Sequence, residues 1–425
     1  MRILIVAENA SARFGGEAAL PLHYYRGLRA KGHAVWLVTH SRVRAELEAL
    51  FPQDVDVKIQ FVADTAFHRL MFRWGEQLPH RLAYATTGFL MRLASQWAQR
   101  RLAKRIVREQ SIEVVHQPIP VSPKEPSMLY GLGVPVVIGP MNGGMDFPPA
   151  FSRHQPALEG VAIGIGRSLS GVLGLLLAGK RQAALLLVAN ERTRRALPPG
   201  STYRVRHLVE NGVDFDVWRR PDKASGERNP AAPTRFAFMG RLVDWKAVDL
   251  LLEAFAQASR RAPMSLTIIG DGPERASLVA CAEAQGLVCG PVHDEGCVCF
   301  AGWLAQPLAA VLLAEHDALV LPSLYECGGA VVLEAMAMGL PVIATHWGGP
   351  ADYLDPDSGV LIEPNTRDSF LVGLENAMTE IATQPELRRR LGENALHRVR
   401  REFDWSSKVD EVLAIYRSVL MAERT

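Results

Sequence analysis

Short apolar runs recur along the whole chain, with amphipathic stretches between them. The first is Ile3–Ala7, ended by Glu8, and five more follow at Ala34–Thr39, Val57–Val62, Glu113–His116, Val134–Ile138 and Leu185–Ala189. A second series begins at Arg235–Met239 and continues through Leu266–Ile269, Cys297–Phe300, Ala318–Leu321, Val342–Thr345 and Gly359–Ile362. Runs like these are β-rich and apolar on both faces, as in the strands of a parallel sheet covered by helices. Six strands and then six predict an α/β chain of two doubly wound, Rossmann-like domains. Between the series, Arg219–Pro233 is polar and holds three prolines, which reads as a linker or surface loop. Near the far end, Trp405, Val409, Val412, Tyr416 and Val419 fall at helical spacing, so that helix needs a surface to pack on.

Composition narrows the classes. The 425 residues are 48% hydrophobic and 22% charged, which excludes a disordered, collagen-like or coiled-coil chain. The net charge of +2 argues against a dedicated nucleic-acid binder. That balance hides a local excess. Residues 67–108 carry nine Arg and Lys against Glu76, with six aromatics among them, including Trp74 and Trp97. The segment therefore holds +8 and the remainder −6. It reads either as a basic amphipathic surface for an anionic membrane, centred on Arg100, Arg101, Lys104 and Arg105, or as the solvated face of a core-packed helix.

Other segments yield weaker expectations. Residues 157–179 are largely apolar, but Glu159 and Arg167 leave an uninterrupted run of 12 from Ser168 to Gly179. A span needs about 20, so a buried or interfacial helix is expected instead. The first apolar run is too short for an export signal. With it, the five cysteines (Cys281, Cys289, Cys297, Cys299, Cys327) suggest reduced thiols in a cytosol. Cys289, His293, Cys297 and Cys299 could form a C-x3-H-x3-C-x-C metal set, but that is not a common zinc spacing, and Val298 and Phe300 alternate with the thiols as in a strand. No metal is expected.

In open α/β sheets, ligands bind beyond the carboxyl ends of the strands, so the loops there are where chemistry is sought. After Ala318–Leu321 comes Pro322-Ser-Leu-Tyr-Glu326-Cys-Gly328-Gly329, leading into a short apolar helix, Val331–Met338, that contains Glu334. A helix opened by glycines presents free N–H groups and a positive dipole end, which suits a diphosphate. Glu334 within that apolar helix needs donors, and ligand hydroxyls would serve. At ~1.5 Å per residue, the eight positions from Glu326 to Glu334 span on the order of 10 Å, enough to grip two ends of an extended ligand. After Arg235–Met239, Gly240-Arg241 and Lys246 make a natural clamp for a diphosphate, or two solvated cations. Gly270-Asp-Gly-Pro273 repeats the strand, glycine turn and helix, and its Pro and Asp also fit local helix-start roles. In the first half, Gly15-Gly16 follows strand one, His116 ends the fourth strand, and Gly139-Pro-Met-Asn142-Gly-Gly144 closes the fifth. The G-x-G at Gly164 and Gly166 follows no strand and reads as chance.

These pieces in this order resemble the GT-B glycosyltransferases of family 4, which move a sugar from a nucleotide-diphosphate donor with retention at the anomeric carbon. The matching residues are Gly15-Gly16, His116, Asn211-Gly-Val-Asp214, Gly240-Arg241 with Lys246, Gly270-Asp-Gly-Pro273, Phe300-Ala-Gly302-Trp303, Glu326 and Glu334 at the Glu-x7-Glu spacing, and Gly348-Gly349. The resemblance implies two domains facing a central cleft: 1–205 on the acceptor side, joined by a crossover helix at 404–425, and 206–403 on the nucleotide-sugar side. It implies that Glu326 holds donor sugar hydroxyls and Glu334 the ribose hydroxyls. Arg241 and Lys246 would bind the diphosphate with N–H groups of Gly16, Gly329 and Ala330, while Gly15, Gly270, Gly302, Gly328 and Val331 line the donor. His116 would sit over the sugar, giving Glu326, His116, Arg241 and Lys246 as catalytic. The sequence departs from the family at Gly328, where an aromatic is usual, and at Cys327, where glycine or serine is common.

The resemblance further implies a retaining hexosyltransferase, cytoplasmic or peripheral on the inner face of a membrane, and an enzyme of polysaccharide biosynthesis. It would need no cofactor beyond the nucleotide-sugar substrate, and its acceptor would be a lipid-linked or cell-envelope glycan. Two other readings share parts of the pattern: a nucleotide-sugar 2-epimerase of the same architecture, which needs no acceptor, and a non-catalytic sugar-binding protein.

Overall fold

Side chains alternate across a β-strand, so a strand apolar at every position must bury both faces. In the computed structural model, which describes residues 1–78, 82–83, 86–154, 177–220, 232–287 and 295–423, β1 (Arg2–Val6) does this directly. Ile3 and Ile5 enter one core layer, while Leu4 and Val6 enter the other. β2 (Ala34–His40) divides in the same way, Val35 and Leu37 against Trp36 and Val38.

The described residues form two compact units. The first holds β1, β2, β3 (Ile59–Val62), β4 (Val114–Gln117), β5 (Val136–Met141), β6 (Leu185–Val188) and β7 (Val205–His207), in a parallel sheet of order β3-β2-β1-β4-β5-β6-β7. Its principal helices are α1 (Gly16–Ala30), α2 (Ala66–Gly75) and α3 (Thr87–Glu109). The second holds β8 (Thr234–Met239), β9 (Met264–Ile269), β10 (Val298–Gly302), β11 (Ala318–Leu321), β12 (Val342–Thr345) and β13 (Gly359–Ile362), again parallel, in the order β10-β9-β8-β11-β12-β13. Its principal helices are α4 (Val248–Ala258), α5 (Ala330–Ala337), α6 (Arg367–Thr383) and α7 (Pro385–Glu402). The expected class, two doubly wound α/β domains, is the observed one.

A last helix, α8 (Trp405–Ala422), belongs to the first unit. Trp405, Val409, Val412, Tyr416 and Val419 all lie in the core layer that holds Leu20, Tyr24 and Leu28 of α1. Trp405 stacks on His23 with ring centroids 4.5 Å apart. This supplies the surface that the amphipathic pattern required.

Three details differ from expectation. β7 was not foreseen, because an edge strand of Val205-Arg-His207 is half exposed and carries no apolar run. The first unit continues to Glu210 and the second begins at Asn211, so the boundary falls a few residues after 205 and well before the polar stretch 219–233. Residues 221–231 of that stretch lie outside the described residues. Met145–His154 belongs to the second unit despite its place in the chain. Phe147 stacks on Tyr325, Phe151 meets Phe370 edge-on, and Trp347 donates its indole N–H to the Asp146 carbonyl at 2.8 Å. The apolar stretch 157–179, with Gly164 and Gly166, falls almost wholly outside the described residues. Among the described residues, no helix is long and apolar enough to cross a membrane.

Candidate functional site

In the second unit the strand order reverses between β8 and β11, so the loops that follow these two strands emerge side by side. The Leu324 N–H donates to the Trp245 carbonyl at 2.9 Å and ties one loop to the other. Across that tie, Lys246 forms an ion pair with Glu326, both side chains largely sequestered from solvent. The sequence assigned these two groups to different parts of a ligand, and the fold brings them together. Arg241, at the head of the first loop, is exposed, and among the described residues nothing pairs with its guanidinium.

The glycines around these loops are required by close backbone approach. A Cβ at Gly270 would lie 1.9 Å from the Gly240 carbonyl oxygen, and one at Gly272 would lie 2.2 Å from that of Leu242. The 270–272 turn therefore lies directly against the loop bearing Arg241. Gly270 also donates its N–H to Gly302 at 2.8 Å, joining the end of β10 to the same layer. Behind Glu326, a Cβ on Gly349 would come within 1.8 Å of the Gly328 carbonyl oxygen, and Gly349 N–H donates to the Glu326 carbonyl at 2.8 Å. Gly348-Gly349 thus serves as a backstop that fixes the Glu326 loop.

Gly329 caps α5 at φ 86°, a left-handed conformation that favours glycine, and opens the helix at Ala330 and Val331. The first-turn N–H groups of such a helix have no intrahelical partner and carry the positive end of its dipole. Glu334 follows one turn into the helix. The surrounding protein strips water from its carboxyl and pushes it up to about 8, so in the unliganded protein it is neutral at neutral pH.

The first unit has its own reversal, between β1 and β4. Gly15, at φ 93°, caps α1, and both Gly15 and Gly16 face open space. Beside them is a cavity of about 360 Å³ whose lining includes Glu8, Asn9, Glu17, Arg42, Arg92 and Gln117. Burial raises the Glu8 and Glu17 carboxyls above the usual carboxylate range, against the opposing pull of Arg42 on Glu8 and of the Val121 N–H on Glu17. Arg92 pairs with Glu125 at 2.5 Å. Sequence reading overlooked these residues. The signal available was Glu8-Asn9 directly after an apolar strand that lies at the reversal.

His116 requires a correction. It was expected at a strand end over a sugar, but β4 runs on to Gln117, and His116 is wholly buried among Tyr24 and Tyr416. Its Nε2 donates to the Gly139 carbonyl at 2.6 Å, and its Nδ1 accepts from the Tyr416 hydroxyl at 2.7 Å. Both ring nitrogens are occupied, and burial lowers its pKa to about 4. The ring is a neutral core hydrogen-bonding group with no free atom for a ligand. Asn142 is likewise buried and donates to Glu210 at 2.9 Å. Of the considered metal set, Cys289 and His293 lie outside the described residues; among the described residues no group of three or more His, Cys, Asp or Glu is placed to hold an ion.

Comparison with known proteins agrees with this geometry. Residues 220–398 match the family model for glycosyl transferases group 1. The chain is 27% identical over 247 residues to an alpha-D-kanosaminyltransferase of Streptomyces kanamyceticus, covering 56% of this chain and 61% of that protein. It is 31% identical over 225 residues to a D-inositol 3-phosphate glycosyltransferase of Segniliparus rotundus, covering 50% of this chain and 47% of the relative. The match thus spans about half to three-fifths of the length of these curated relatives. Among solved structures, HepE of Anabaena in complex with UDP superposes with a TM-score of 0.67 at 16% identity, covering 98% of this chain and all of that one. WaaG, a glycosyltransferase involved in lipopolysaccharide biosynthesis, does so with a TM-score of 0.60 at 18% identity, covering 97% and 99%. The fold is that of the GT-B glycosyltransferases.

Proposed function

We propose that the chain is a retaining glycosyltransferase of family 4 that moves a sugar from a nucleotide-diphosphate-sugar to a hydroxyl of a lipid-linked or cell-envelope glycan. The observation that carries this reading is the meeting of Lys246, Glu326 and the α5 N-terminus at the strand reversal of the second unit. On donor binding, Lys246 exchanges the Glu326 carboxylate for a phosphate, and Glu326 turns to accept from sugar hydroxyls. Arg241 closes on the same diphosphate, whose oxygens also take N–H groups of Gly329, Ala330 and Val331. Glu334 accepts from the ribose hydroxyls and gives up its proton as it does so. Gly270 keeps the surrounding backbone close, Gly302 and Gly328 line the donor, and Gly15 and Gly16 leave their own loop free of side chains.

In the chemical step the bond from the anomeric carbon to the diphosphate breaks, and the charge gathered on the leaving oxygen is met by Arg241, Lys246 and the α5 dipole. The acceptor oxygen bonds to the same face of the carbon, and its proton passes to a phosphate oxygen of the departing donor. The polar cavity by Glu8, Glu17 and Gln117 suits an acceptor rich in hydroxyls, which carboxylate and amide oxygens can receive. His116 takes no part. Arg241→Ala and Lys246→Ala should each lower kcat/KM by about 10²–10³, the cost of removing one preorganised stabilising group. Turnover at the wild-type rate in both, or a product of inverted configuration by NMR, would overturn the reading.

A further inference from the structure

Most helices on a globular surface bury their large apolar residues, and α2 does the opposite. Only His68 and Met71 of its ten residues are buried. Phe67, Leu70 and Trp74, at i, i+3 and i+7, form an apolar row that faces solvent, with Trp74 58% exposed. Arg69 and Arg73, one turn apart, flank the row, and neither pairs with a carboxylate among the described residues.

α3 continues the theme. The spacing of Leu90, Trp97, Arg101, Lys104 and Arg108 places all five along one line of the helix, and all are exposed. The line begins apolar and ends cationic, with the Arg101 guanidinium lying 4.7 Å over the Trp97 ring. Arg101, Lys104, Arg105 and Arg108 line one shallow depression with Glu109. The two helices are locked together, His68 Nε2 meeting Ser95 Oγ at 3.1 Å. Sixteen large apolar residues are exposed among the described residues, and seven of them (Phe67, Leu70, Phe72, Trp74, Leu82, Leu90 and Trp97) fall within residues 67–97.

We propose that α2 and α3 form a docking surface for an anionic lipid bilayer, with Phe67, Leu70 and Trp74 entering the headgroup boundary and Arg69, Arg73, Arg101, Lys104 and Arg108 on the lipid phosphates. Tryptophan and phenylalanine beside long cationic side chains suit that boundary, where the rings are half wet and the stems lie along apolar surface. A second copy of this chain is a poor occupant, because it would set the same cations against each other. Two cations of residues 67–108 do not belong to this surface. Arg92 pairs inward with Glu125, and Arg100 donates to the Tyr130 carbonyl at 2.9 Å with its guanidinium over the Tyr130 ring. Of the cluster named from the sequence, the membrane-facing set keeps Arg101 and Lys104 and loses Arg100.

The test is sedimentation of the full chain with vesicles of phosphatidylcholine and phosphatidylglycerol, and with pure phosphatidylcholine vesicles, at several salt concentrations. Binding should require the anionic lipid and weaken with salt. Each cation contributes about fivefold to partitioning, so Arg101→Ala/Lys104→Ala/Arg108→Ala should lower it roughly a hundredfold. Phe67→Ser/Leu70→Ser/Trp74→Ser should also release the protein from the anionic vesicles. Arg389→Ala/Arg390→Ala, exposed cations of the second unit, should change nothing. All these residues are exposed, and unchanged melting confirms intact folding. Equal binding to neutral vesicles, no loss in either triple variant, or self-association that the triple variants abolish without vesicle binding would each overturn the proposal. Because lipid binding is read without donor or acceptor, this result is independent of the sugar-transfer reading.

Discussion

Glu334 shows how far one side chain's surroundings can set its chemistry. Its carboxyl, raised to about 8 from an ordinary 4.5, holds a proton in the folded protein over a range where the unfolded chain has released it. Stability from this group is therefore lost as pH rises from about 4.5 through 8. Glu334→Gln, which keeps the shape and removes the titration, should melt higher than wild type at pH 9, match it near pH 4.5 and bind nucleotide-sugar more weakly. A wild-type melting curve as flat with pH as that of the variant would show that the carboxyl titrates normally. The cost of a carboxylate in this apolar helix was legible in the sequence; its response, keeping its proton to about pH 8, was not, because that depends on what packs around α5. The Lys246–Glu326 pair was hidden for a similar reason, since eighty residues separate the two and only the β8–β11 adjacency brings them together.

At the scale of elements, the strands were the most legible part of the molecule. β11 and β12, buried at every position, begin and end where the apolar runs do, because a strand covered on both faces leaves little room for polar side chains, and the apolar edge strand β13 matches its run as well. Edge strand β7 broke that rule and was missed. The reading of His116 failed by a single residue of strand length. With β4 continuing to Gln117, the period-two alternation places His116 on the face of Val114, toward α1 and α8, and leaves Gln117 to line the cavity. A Tyr416→Phe variant tests this placement. It strands the buried His116 Nδ1 and should cost about 1–3 kcal/mol of stability, with kcat unchanged for the folded fraction. In a His116→Ala background the same substitution should cost much less, so a double-mutant cycle reports the bond directly. A large loss of kcat in Tyr416→Phe would restore a catalytic part for the histidine.

For the molecule as a whole, the buried lysines of the first unit and Glu334 of the second push stability in opposite senses as pH rises. In the first, burial lowers Lys180 to about 7 and Lys408 to about 8, each donating to a backbone carbonyl, of Pro123 and Val209 respectively. The unfolded chain keeps those protons to about 10.5, so their penalty is relieved, and the first unit gains stability, as pH rises from about 7 to 10. The second unit, through Glu334, loses stability up to about 8. Calorimetry between pH 6 and 9 should show two transitions that move in opposite directions, with Lys180→Met flattening one and Glu334→Gln the other. Parallel movement of both transitions would contradict this assignment.

The packing of α8 into the first unit also sets an order of events during synthesis. The core layer holding Ile3, Tyr24 and Val114 also holds Val409, Tyr416 and Val419, so the sheet encoded first must wait for a helix encoded nearly three hundred residues after β4. The second unit lies almost entirely within Asn211–Asp404 and has its strands in hand before that helix leaves the ribosome. Domains usually fold in the order they are made. Here the half made first is the last to be sealed, and until then a groove along α1 lined by Leu20, Tyr24 and Leu28 stays open to chaperones and proteases.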